Sequence, residues 1–569
     1  MKELELYKSW LAQPLDQELK AELESIKGNT NEIYDRFYTA LSFGTAGLRG
    51  VLGAGLNRMN IYTVGRATQG LAAYLKESFA SPSVAIAYDS RINSGLFARH
   101  TASVLAANGI KVYLYAELMP TPALSYAVRQ LGCSAGIVIT ASHNPAKYNG
   151  YKVYDPDGCQ IGVETADRVL AHIKQTDIFT GVKHQDFEQA LAGSMVEYIP
   201  QSLTESFISR ILEEQQTPGI CQGSDFKLVY TPLNGAGRRC VLDMLDKIGL
   251  QNVTVVPEQE LPDGNFPTCP YPNPELKETL ELGLALCKAQ NADLLLATDP
   301  DCDRVATAVM ENGTPRLLTG NEMGVLLLDY IARSRTERGK MPKNPVAVRS
   351  IVSTNMFDAV AGQYGIEVLT TLTGFKYIGE HIKRLEQAGE AGRYLLGFEE
   401  SCGYLSGGYV RDKDAVGAAL LITEMAVWYH KQGKNLAQAI DALYSRLGYY
   451  SNTVDNLGFE GANGMRRMGV IMNRLRSDLP IDIGGYAIEY AIDYNKSEKT
   501  TRLGRTSRVD LPRSDVLEYA LEGVGTVIVR PSGTEPKLKV YYSIKAATKQ
   551  EAQDITEDLQ DAMKRLMGV

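Results

Sequence analysis

The chain has 569 residues, a hydrophobic fraction of 44%, a charged fraction of 22% and a formal net charge of −8. This length is too great for one hydrophobic core, so we expect about three to five domains, and the composition is typical of a folded protein. The negative charge argues against a nucleic acid or an anionic membrane as partner, although an anionic substrate could bind where arginines and lysines gather locally.

Neither export nor membrane insertion is indicated by the sequence. The N-terminal stretch MKELELYKSWLAQ is charged and has no apolar segment of the kind found in signal peptides. The most apolar long run, near residues 415–428, is interrupted by Thr423 and Glu424. The eight cysteines are scattered without a CxxC pair, so we expect reduced thiols rather than disulfides or zinc ligands. We therefore predict a cytoplasmic protein; the sequence indicates no particular oligomeric state.

Three stretches of the chain share one layout, in which an apolar strand opens a unit and a second strand later runs into a polar loop. Such alternation of strands with helical stretches is typical of α/β domains. The three opening strands are predicted at residues 84–88, 226–230 and 345–349, and the three second strands at 135–140, 293–297 and 394–397. Open α/β sheets bind ligands at the carboxyl ends of their strands, so the loops after the second strands form the candidate site.

A fourth unit is predicted to begin after Tyr450. Its strands, at residues 526–529 and 538–543, flank another polar loop. Segment 205–225 contains Gln-Gln-Thr-Pro-Gly and is predicted to be a boundary region.

The first polar loop is Thr-Ala-Ser-His-Asn-Pro at residues 140–145. Ser142 lies between a small residue and a turn, so we expect it to be exposed and held still, but serine is a weak nucleophile unless activated. Adjacent side chains on an extended segment point apart, so we do not expect His143 to reach Ser142. The loop also lacks the G-x-S-x-G elbow of serine hydrolases, so a Ser–His hydrolase is little supported. A turn with a helix N-cap is the alternative to a nucleophile here.

The second loop is Asp-Pro-Asp-Cys-Asp-Arg at residues 299–304. Its three alternate carboxylates, Asp299, Asp301 and Asp303, repel one another unless a cation compensates them, and their oxygens suit one hard cation. An EF-hand loop would need Gly and Glu where this chain has Arg304 and Met310. Mg²⁺, which takes few protein ligands together with a phosphate oxygen, fits better. A solvated acidic turn is the alternative.

The third loop is Gly-Phe-Glu-Glu-Ser-Cys-Gly at residues 397–403. Glu399 and Ser401 beside glycines suit the recognition of sugar hydroxyls, because a carboxylate accepts hydrogen bonds and a hydroxyl both accepts and donates them. A charged turn is the alternative. Downstream, Lys413 lies in Arg-Asp-Lys-Asp and is a candidate proton donor or phosphate contact.

The fourth loop is Arg-Pro-Ser-Gly-Thr-Glu-Pro-Lys at residues 530–537. A guanidinium fork, two hydroxyls and a glycine make an anion cradle that suits phosphate, and a Pro-Gly turn between strands is the alternative. Near the N-terminus, a glycine-rich stretch at residues 43–50 contains Arg49. Neither G-x-x-x-x-G-K-[ST] nor G-x-G-x-x-G occurs, so nucleotide binding through those loops is not supported.

As an ordered set, these loops resemble those of the α-D-phosphohexomutase superfamily of phosphoglucomutases and phosphomannomutases. The resemblance covers roughly Phe43 to Lys537. The stretches Tyr-Asn-Gly-Tyr-Lys at 148–152 and Gly-Phe-Glu-Glu-Ser-Cys-Gly-Tyr at 397–404 are similar to the phosphoglucomutase/phosphopentomutase branch. The resemblance to the superfamily implies an α/β fold of four domains around a central cleft. Three of them would be similar mixed-sheet α/β units, and the C-terminal one a smaller α+β domain. We place these domains at residues 1–208 (phosphoserine loop), 209–322 (metal), 323–448 (sugar) and 449–569 (phosphate).

The resemblance also implies roles for the loop residues. Ser142 would carry the phosphoryl group and, with Asp299, Asp301 and Asp303, would hold Mg²⁺. Arg49 and Arg304 would steady charge beside the transferring group, and His143, Lys152 and Lys413 are the acid/base candidates. The substrate would be bound by Arg304, Thr373, Gly374, Glu399, Ser401, Arg530, Ser532, Gly533 and Thr534.

Two positions depart from the family pattern. Cys302 stands where the metal loop commonly has glycine, so its side chain must point away from the ion or the loop differs in geometry. Glu400 stands where the dual mannose/glucose branch usually has methionine, so a mannose substrate is disfavoured.

The expected function is therefore a phosphoglucomutase that interconverts glucose 1-phosphate and glucose 6-phosphate, with a sugar 1,6-bisphosphate as intermediate and activator. A phosphopentomutase acting on ribose or deoxyribose 1-phosphate and a phosphomannomutase are alternatives. Residues 301–305 also satisfy D-x-D-x-[TV] of the haloacid-dehalogenase phosphotransferases, but no later G-D-x-x-x-D element supports that hypothesis. A non-catalytic sugar-phosphate sensor would be free to lose Ser142 or an aspartate, and this chain retains them all.

Overall fold

The computed structural model describes residues 2–45, 47–311, 313–459, 464–531 and 537–569. They fall into two compact units. One comprises Met1–Leu318, Ile378–Tyr394 and Gly403–Gln432, and the other comprises Thr319–Tyr377, Leu395–Cys402 and Gly433–Val569. Among the described residues, no helix combines the length and the apolar character needed to cross a bilayer.

The first unit begins with three short helices and a mixed α/β layer. The helices pack Trp10 against Phe37 and Phe179, with each pair of rings edge to face. The elements are α1 (Lys2–Leu11), α2 (Gln17–Ser25), α3 (Thr30–Phe37), β1 (Leu48–Val51), α4 (Ile61–Ser78), β2 (Ser83–Tyr88), α5 (Ser94–Ala107), β3 (Lys111–Leu114), α6 (Thr121–Leu131), β4 (Ala135–Ile139), β5 (Tyr148–Tyr154), α7 (Val163–Gln175), α8 (Phe187–Ala192) and β6 (Val196–Tyr198).

A second α/β layer follows in the same unit. Its elements are α9 (Gln201–Leu212), β7 (Leu228–Thr231), α10 (Gly237–Lys247), β8 (Val253–Val255), α11 (Pro257–Glu260), α12 (Glu281–Gln290), β9 (Leu294–Thr298), β10 (Val305–Glu311) and β11 (Thr314–Leu318). The predicted boundary region 205–225 begins inside α9, so its first part is helical, and only the stretch after Leu212 is irregular.

Later parts of the chain contribute to both units. The elements are α13 (Gly320–Glu337), β12 (Val346–Ser350), α14 (Met356–Gln363), β13 (Glu367–Thr371), α15 (Phe375–Gln387), β14 (Tyr394–Glu399), β15 (Gly403–Leu405), α16 (Ala415–His430) and α17 (Leu436–Leu447). Helix α16 belongs to the first unit and has buried residues on every face, Thr423 and Glu424 among them, which is typical of a largely apolar helix inside a domain. It packs against α9, α10, β9 and β10.

The C-terminal part of the second unit is an antiparallel sheet with two helices. Its elements are β16 (Tyr449–Gly458), α18 (Gly464–Ser477), β17 (Asp482–Ile483), β18 (Tyr486–Asp493), β19 (Glu498–Thr501), β20 (Thr506–Arg508), β21 (Leu517–Leu521), β22 (Gly525–Pro531), β23 (Lys537–Ala546) and α19 (Lys549–Met567). The strand order is β16-β23-β22-β21-β18-β19-β20, and β17 pairs with β18.

The three α/β sheets repeat one arrangement. The first has the order β1-β5-β4-β2-β3-β6, the second β11-β10-β9-β7-β8, and the third contains β13-β12-β14. In the first two, a central strand (β2 or β7) pairs in parallel with both neighbours, and an antiparallel strand follows (β5 or β10). The predicted repeat and its six strands are confirmed. The polar loops that follow β4, β9 and β14 begin at the strands' carboxyl ends, where such sheets bind ligands.

Candidate active site

Ser142 lies in the loop that follows β4, and its backbone is in the left-handed region, with φ of 52°. Non-glycine residues rarely adopt this conformation, because Cβ crowds the backbone. A hydrogen bond from the Ser142 N–H to Oγ1 of Thr140, 2.7 Å long, supports the turn. The turn directs Oγ of Ser142 towards the loop after β9, where it donates to Oδ2 of Asp299 over 2.9 Å.

The prediction that His143 could not reach Ser142 is wrong. Nδ1 of His143 lies 3.1 Å from Oγ of Ser142, because the left-handed turn at Ser142 brings together two side chains that an extended segment would point apart. Burial, followed by the charges of Arg304 and Arg49, holds the pKa of His143 well below its usual value. The imidazole is therefore neutral at pH 7.

Three buried carboxylates lie next to Ser142. Asp299, Asp301 and Asp303 offer oxygens that all lie within 4.8 Å of one another. Oδ1 of Asp299 accepts from the N–H groups of Asp303 and Arg304, each at 3.0 Å, which closes the loop around the carboxylate. Oδ1 of Asp301 and Oδ1 of Asp303 are buried with no hydrogen-bond partner among the described residues. Buried, unsatisfied carboxylate oxygens in such a cluster fit a hard divalent cation.

Cys302 faces away from the carboxylates. Its φ is 54°, the left-handed conformation that glycine adopts most easily. A Cβ added to Gly237, on α10, would lie 2.8 Å from the Cys302 sulfur and 2.7 Å from the hydroxyls of Thr298 and Tyr230. The thiol thus occupies space on the α10 side of the loop. Of the two outcomes expected for this departure, the structure shows a side chain that points away from the carboxylates.

Two lysines balance the acidic cluster. Nζ of Lys152, on β5, lies 2.7 Å from Asp301 and 3.5 Å from Asp303. Nζ of Lys413, in the loop before α16, lies 3.2 Å from Asp303 and 3.2 Å from Asp412. All these groups are buried. The predicted candidates Ser142, Lys152, Lys413 and the three aspartates therefore lie in one connected cluster.

The pKa values of the cluster diverge. Burial, then Asp301 and Asp303, raise the pKa of Asp299 well above its usual value. For Asp301, burial opposes ionisation, but the charge of Lys152, the hydrogen bonds with Lys152 and Asp299 and the charge of Lys413 together outweigh burial, and the pKa falls. Burial also opposes the charge on Lys152, yet Asp301 and Asp303 raise its pKa overall. Neighbouring titratable groups whose pKa values are shifted in opposite directions are typical of functional sites.

The two arginines expected beside Ser142 lie at the edge of the cluster. Nη1 of Arg49, on β1, donates to Oδ1 of Asn144 over 3.0 Å. Nη1 of Arg304 lies 2.7 Å from Glu275, and its Nε lies 3.8 Å from Asp303. Both guanidinium charges therefore adjoin the loops that hold Ser142 and the carboxylates.

The expected sugar-binding residues belong to the second unit. Oε1 of Glu399, at the end of β14, accepts from the Gly374 N–H over 2.6 Å. Oγ1 of Thr373 is buried without a hydrogen-bond partner among the described residues. Oγ of Ser350 donates to Glu400 over 3.3 Å. Gly374 and Glu399 are therefore in contact, Thr373 is the chain neighbour of Gly374, and Ser401 lies two residues beyond Glu399.

The expected phosphate cradle is described only at its beginning. Arg530 lies near the end of β22 and forms a side-chain hydrogen bond with Tyr541 on β23, the neighbouring strand. Glu400 and Glu399 lie close enough to Tyr541 to help raise its pKa, after burial, to about 12. Ser532, Gly533 and Thr534 lie outside the described residues.

Sequence comparison assigns all four parts of the chain. Models of the phosphoglucomutase/phosphomannomutase alpha/beta/alpha domains I, II and III match residues 40–178, 205–313 and 319–447, and that of the C-terminal domain matches residues 506–562. The chain belongs to the phosphoglucomutase/phosphomannomutase family. The expected superfamily and its four-domain architecture are confirmed.

Phosphoglucomutases are among the relatives of this family member. The chain is 36% identical to a phosphoglucomutase of Staphylococcus haemolyticus over 91% of its own length and 93% of that protein. It is 35% identical to a phosphoglucomutase of Staphylococcus aureus over 94% of its own length and 95% of that protein. The predicted enzyme class is confirmed: the chain is an intramolecular phosphotransferase of the phosphoglucomutase type, an isomerase of carbohydrate metabolism.

Solved structures share the family fold. A putative phosphomannomutase from Thermus thermophilus superimposes with a TM-score of 0.69 at 23% identity, covering 93% of this chain and 100% of that one. The open form of parafusin, a phosphoglucomutase from Paramecium, gives 0.68 at 18% identity, covering 93% and 97%. At such identities the likeness shows the fold alone.

Two residues of this site were not predicted from the sequence. Arg91, in the loop after β2, donates to backbone carbonyls of the serine loop. Thr121, at the start of α6, donates from Oγ1 to Oδ2 of Asp301 over 3.0 Å and from its N–H to the Asp301 carbonyl over 2.9 Å. The sequence indicated a role for Arg91 only through its position shortly after a predicted strand. Nothing in the sequence indicated a role for Thr121.

Proposed function

We propose that the chain interconverts glucose 1-phosphate and glucose 6-phosphate, with Ser142 as the phosphoryl carrier. The observation that carries the proposal is the contact between the Ser142 hydroxyl and Asp299 within a buried cluster of three carboxylates. Phosphoryl transfer depends on alignment and charge neutralisation more than on covalent chemistry by the protein. A serine fixed against such a cluster, and flanked by cationic side chains, meets both requirements.

We propose Mg²⁺ as the cation. Asp299, Asp301, Asp303 and the oxygen of Ser142 would hold it. When bound, it would neutralise negative charge on the phosphoryl oxygens. The two buried carboxylate oxygens that have no hydrogen-bond partner among the described residues support this choice, because carboxylate oxygens are the ligands that such a cation prefers.

The cationic side chains would divide the remaining work. Arg49 and Arg304, which adjoin the serine and metal loops, would steady charge on the transferring group. Lys152 and Lys413 are the candidates to exchange a proton with the sugar hydroxyl. Each forms an ion pair with a carboxylate of the cluster. His143, in contact with Oγ of Ser142, is a further acid/base candidate.

The second unit would bind the rest of the substrate. Glu399 and Ser401 would orient the sugar hydroxyls, beside Thr373 and Gly374, and the Gly374–Glu399 hydrogen bond supports a preformed loop. Arg530, with Ser532, Gly533 and Thr534, would hold the phosphate that does not react. The domain boundaries at 1–208, 209–322, 323–448 and 449–569 remain part of this proposal.

The reaction would run through two phosphoryl transfers. The phosphoserine would transfer its phosphoryl group to the free hydroxyl of the sugar monophosphate, with loss of that hydroxyl's proton, to give a bisphosphate. The bisphosphate would turn over and return its other phosphate to Ser142. A sugar 1,6-bisphosphate would therefore act as activator, because it phosphorylates an unmodified Ser142.

Eight buried cysteines suit a reducing compartment, and we propose the cytoplasm.

Replacement of Ser142 tests the proposal. We expect Ser142→Ala to abolish conversion of glucose 1-phosphate in the presence of Mg²⁺ and glucose 1,6-bisphosphate. Ser209→Ala removes a surface hydroxyl whose one hydrogen bond in the described part of the chain lies within its own helix, so this variant should keep full activity. Undiminished turnover by Ser142→Ala would refute Ser142 as the carrier. A phosphoenzyme cleaved by hydroxylamine would instead indicate an aspartyl phosphate.

A substrate panel tests the choice of sugar. Glucose, mannose, glucosamine and ribose 1-phosphates should be compared at saturating Mg²⁺ with the matching bisphosphates. We expect kcat/KM to be highest for glucose 1-phosphate. A preference for ribose 1-phosphate would support a phosphopentomutase, and no turnover of any sugar would support a sugar-phosphate sensor.

A further inference from the structure

Arg91 is a fully buried arginine that holds the backbone of the serine loop. Its Nη1 donates to the carbonyl oxygens of Pro145 and Tyr148, each at 3.0 Å. Its Nη2 donates to the carbonyl of Ser142 over 2.6 Å and also to that of Asn144. A single guanidinium thus binds four carbonyls within seven consecutive residues. Only the planar fork of arginine can make this set of bonds; the ammonium of lysine cannot.

The strand order places Arg91 under the loop. Arg91 follows β2 by three residues, and β2 pairs in parallel with β4, from which the serine loop leaves. The charge of Arg91 is balanced by Asp89, whose Oδ2 lies 3.4 Å from Nε, and neither side chain is exposed to solvent. Oδ1 of Asp89 accepts from the Arg91 N–H over 2.9 Å and from the Ser94 hydroxyl over 2.7 Å. The guanidinium therefore has a fixed position and a compensated charge.

The segment around Phe266, which belongs to the neighbouring α/β layer, covers Arg91. The guanidinium carbon lies 5.0 Å from the centre of the Phe266 ring, within the range of a cation–π contact. Phe266 also packs with Ala146 of the serine loop. Gly264 brings this segment close, because a Cβ there would lie 2.4 Å from the Ile92 nitrogen. Water is thereby kept away from the Arg91 hydrogen bonds.

We propose that Arg91 is a positioning residue for Ser142 and that Phe266 keeps it in place. The inference rests on the proposed role of Ser142. A left-handed non-glycine residue is strained and persists only where its surroundings hold it. The Arg91 bond to the Ser142 carbonyl, with the Thr140 bond to the Ser142 N–H, fixes the peptide groups on both sides. Together they aim Oγ at Asp299. Among the described contacts of Arg91 there is none with Asp299, Asp301 or Asp303, and by this proposal it does not touch the substrate.

Arg91→Lys is the decisive variant, since it keeps the charge beside Asp89 but cannot bind four carbonyls. A displacement of about 1 Å at a reacting group can lower the rate about 100-fold. We therefore expect kcat to fall about 100-fold, while KM for glucose 1-phosphate stays within about threefold. The rate at which glucose 1,6-bisphosphate phosphorylates Ser142, followed by intact mass, should fall by a similar factor. Phe266→Leu should show the same split with a smaller loss of kcat.

Arg58→Lys is the matched control. Arg58 is also buried and donates from Nη1 to the carbonyls of Asn57 and Asp35, but it does not bind the serine loop. Its kcat should stay within about threefold of the unmodified enzyme. The unfolding temperature of each variant shows whether it is folded; if Arg91→Lys does not fold, Phe266→Leu decides.

The outcomes separate the two proposals. The role of Arg91 is overturned if Arg91→Lys keeps its kcat, if KM rises as much as kcat falls, or if Arg58→Lys loses as much activity. In those cases Ser142→Ala would still be inactive and the proposed carrier would stand. Activity retained by Ser142→Ala would overturn the carrier itself, whatever the Arg91 variants do.

Discussion

The hydroxyl of Ser142 donates a hydrogen bond to Asp299, 157 residues away in the sequence, over 2.9 Å. The contact joins the loop after β4 to the loop after β9, which belong to different sheets of the first unit. It brings the proposed phosphoryl carrier to the proposed metal site without any movement of either loop.

Asp299→Asn separates metal binding from folding. Because burial and the neighbouring carboxylates raise the pKa of Asp299, its charge is suppressed without metal, and an amide of the same shape replaces it at little cost. We expect the metal-free unfolding temperature to change little. Saturation with Mg²⁺ at 100 times its Kd should stabilise the unmodified chain by about 2.7 kcal/mol, and this gain should largely disappear in the variant.

The control for that measurement is Asp246→Asn, an exposed aspartate on α10. It should keep the full stabilisation by Mg²⁺. An Asp299→Asn variant that is stabilised as much as the unmodified protein would contradict the assignment of the metal site.

Thr121 tests how closely the metal loop is held. Thr121→Val removes the hydroxyl that donates to Oδ2 of Asp301 but keeps the shape of the side chain. Loss of a hydrogen bond to a metal-binding carboxylate typically weakens metal affinity by about 10-fold or more. We expect the Mg²⁺ concentration for half-maximal activity to rise about 10-fold by this effect. Thr121→Ser, which keeps the hydroxyl, should behave like the unmodified enzyme, and equal behaviour of both variants would contradict the prediction.

Glu399 tests the sugar loop. Its carboxylate is buried at the end of β14 and accepts a hydrogen bond from the Gly374 N–H. We expect Glu399→Ala to raise KM for glucose 1-phosphate at least about 10-fold, because a lost hydrogen bond to a charged acceptor is worth about 1.5–3 kcal/mol. Phosphorylation of Ser142 should remain possible at high bisphosphate concentration. An unchanged KM would remove Glu399 from the substrate site.

Asp414 predicts a pH dependence of stability. It caps α16 through the N–H groups of Val416 and Gly417, accepts a hydrogen bond from the Tyr409 hydroxyl, and burial raises its pKa to about 6. The pKa of Asp414 is higher in the folded than in the unfolded chain. Protonated Asp414 therefore adds to the free energy of unfolding, fully below about pH 4, and this addition is lost as the pH rises through about 6. A shift of about two pKa units corresponds to about 3 kcal/mol.

Asp414→Asn should remove this dependence, since the amide keeps an oxygen for the helix cap but does not titrate. We expect its unfolding temperature to exceed that of the unmodified protein at pH 8 and to match it near pH 4. An unfolding temperature that depends on pH in the same way in both proteins would contradict the raised pKa.

The sequence was sufficient to predict that the loop of Ser142 and the loop of the three aspartates meet. Ser142 and the three aspartates each follow a buried apolar strand, and the carboxyl ends of parallel strands form the ligand-binding edge of such sheets. The residue types and their spacing indicated a site for a hard cation, and the resemblance to the α-D-phosphohexomutase superfamily implied the reaction. The repeat of three α/β layers followed from the same strands, because each apolar run is long enough and bounded by polar loops.

Other parts of the site depend on features that the sequence does not record. The contact between His143 and Ser142 requires the left-handed backbone at Ser142, and nothing in Thr-Ala-Ser-His-Asn-Pro specifies that conformation. Arg91 acts on the serine loop because β2 lies beside β4, which is a property of the strand order. Thr121 meets Asp301 across 180 residues of chain. Such roles arise only when distant segments are assembled.

The first unit is built from three separate segments of the chain, and this constrains how it folds during synthesis. Residues 1–318 are joined by two later stretches, the second of which carries α16, a helix that packs against α9, α10, β9 and β10. A nascent chain that has emerged from the ribosome only as far as β11 has no partner for the apolar surface that α16 will cover. That surface stays exposed until residue 432 has been translated and has left the exit tunnel. Chaperone binding should therefore be strongest during synthesis of the stretch between β11 and α16.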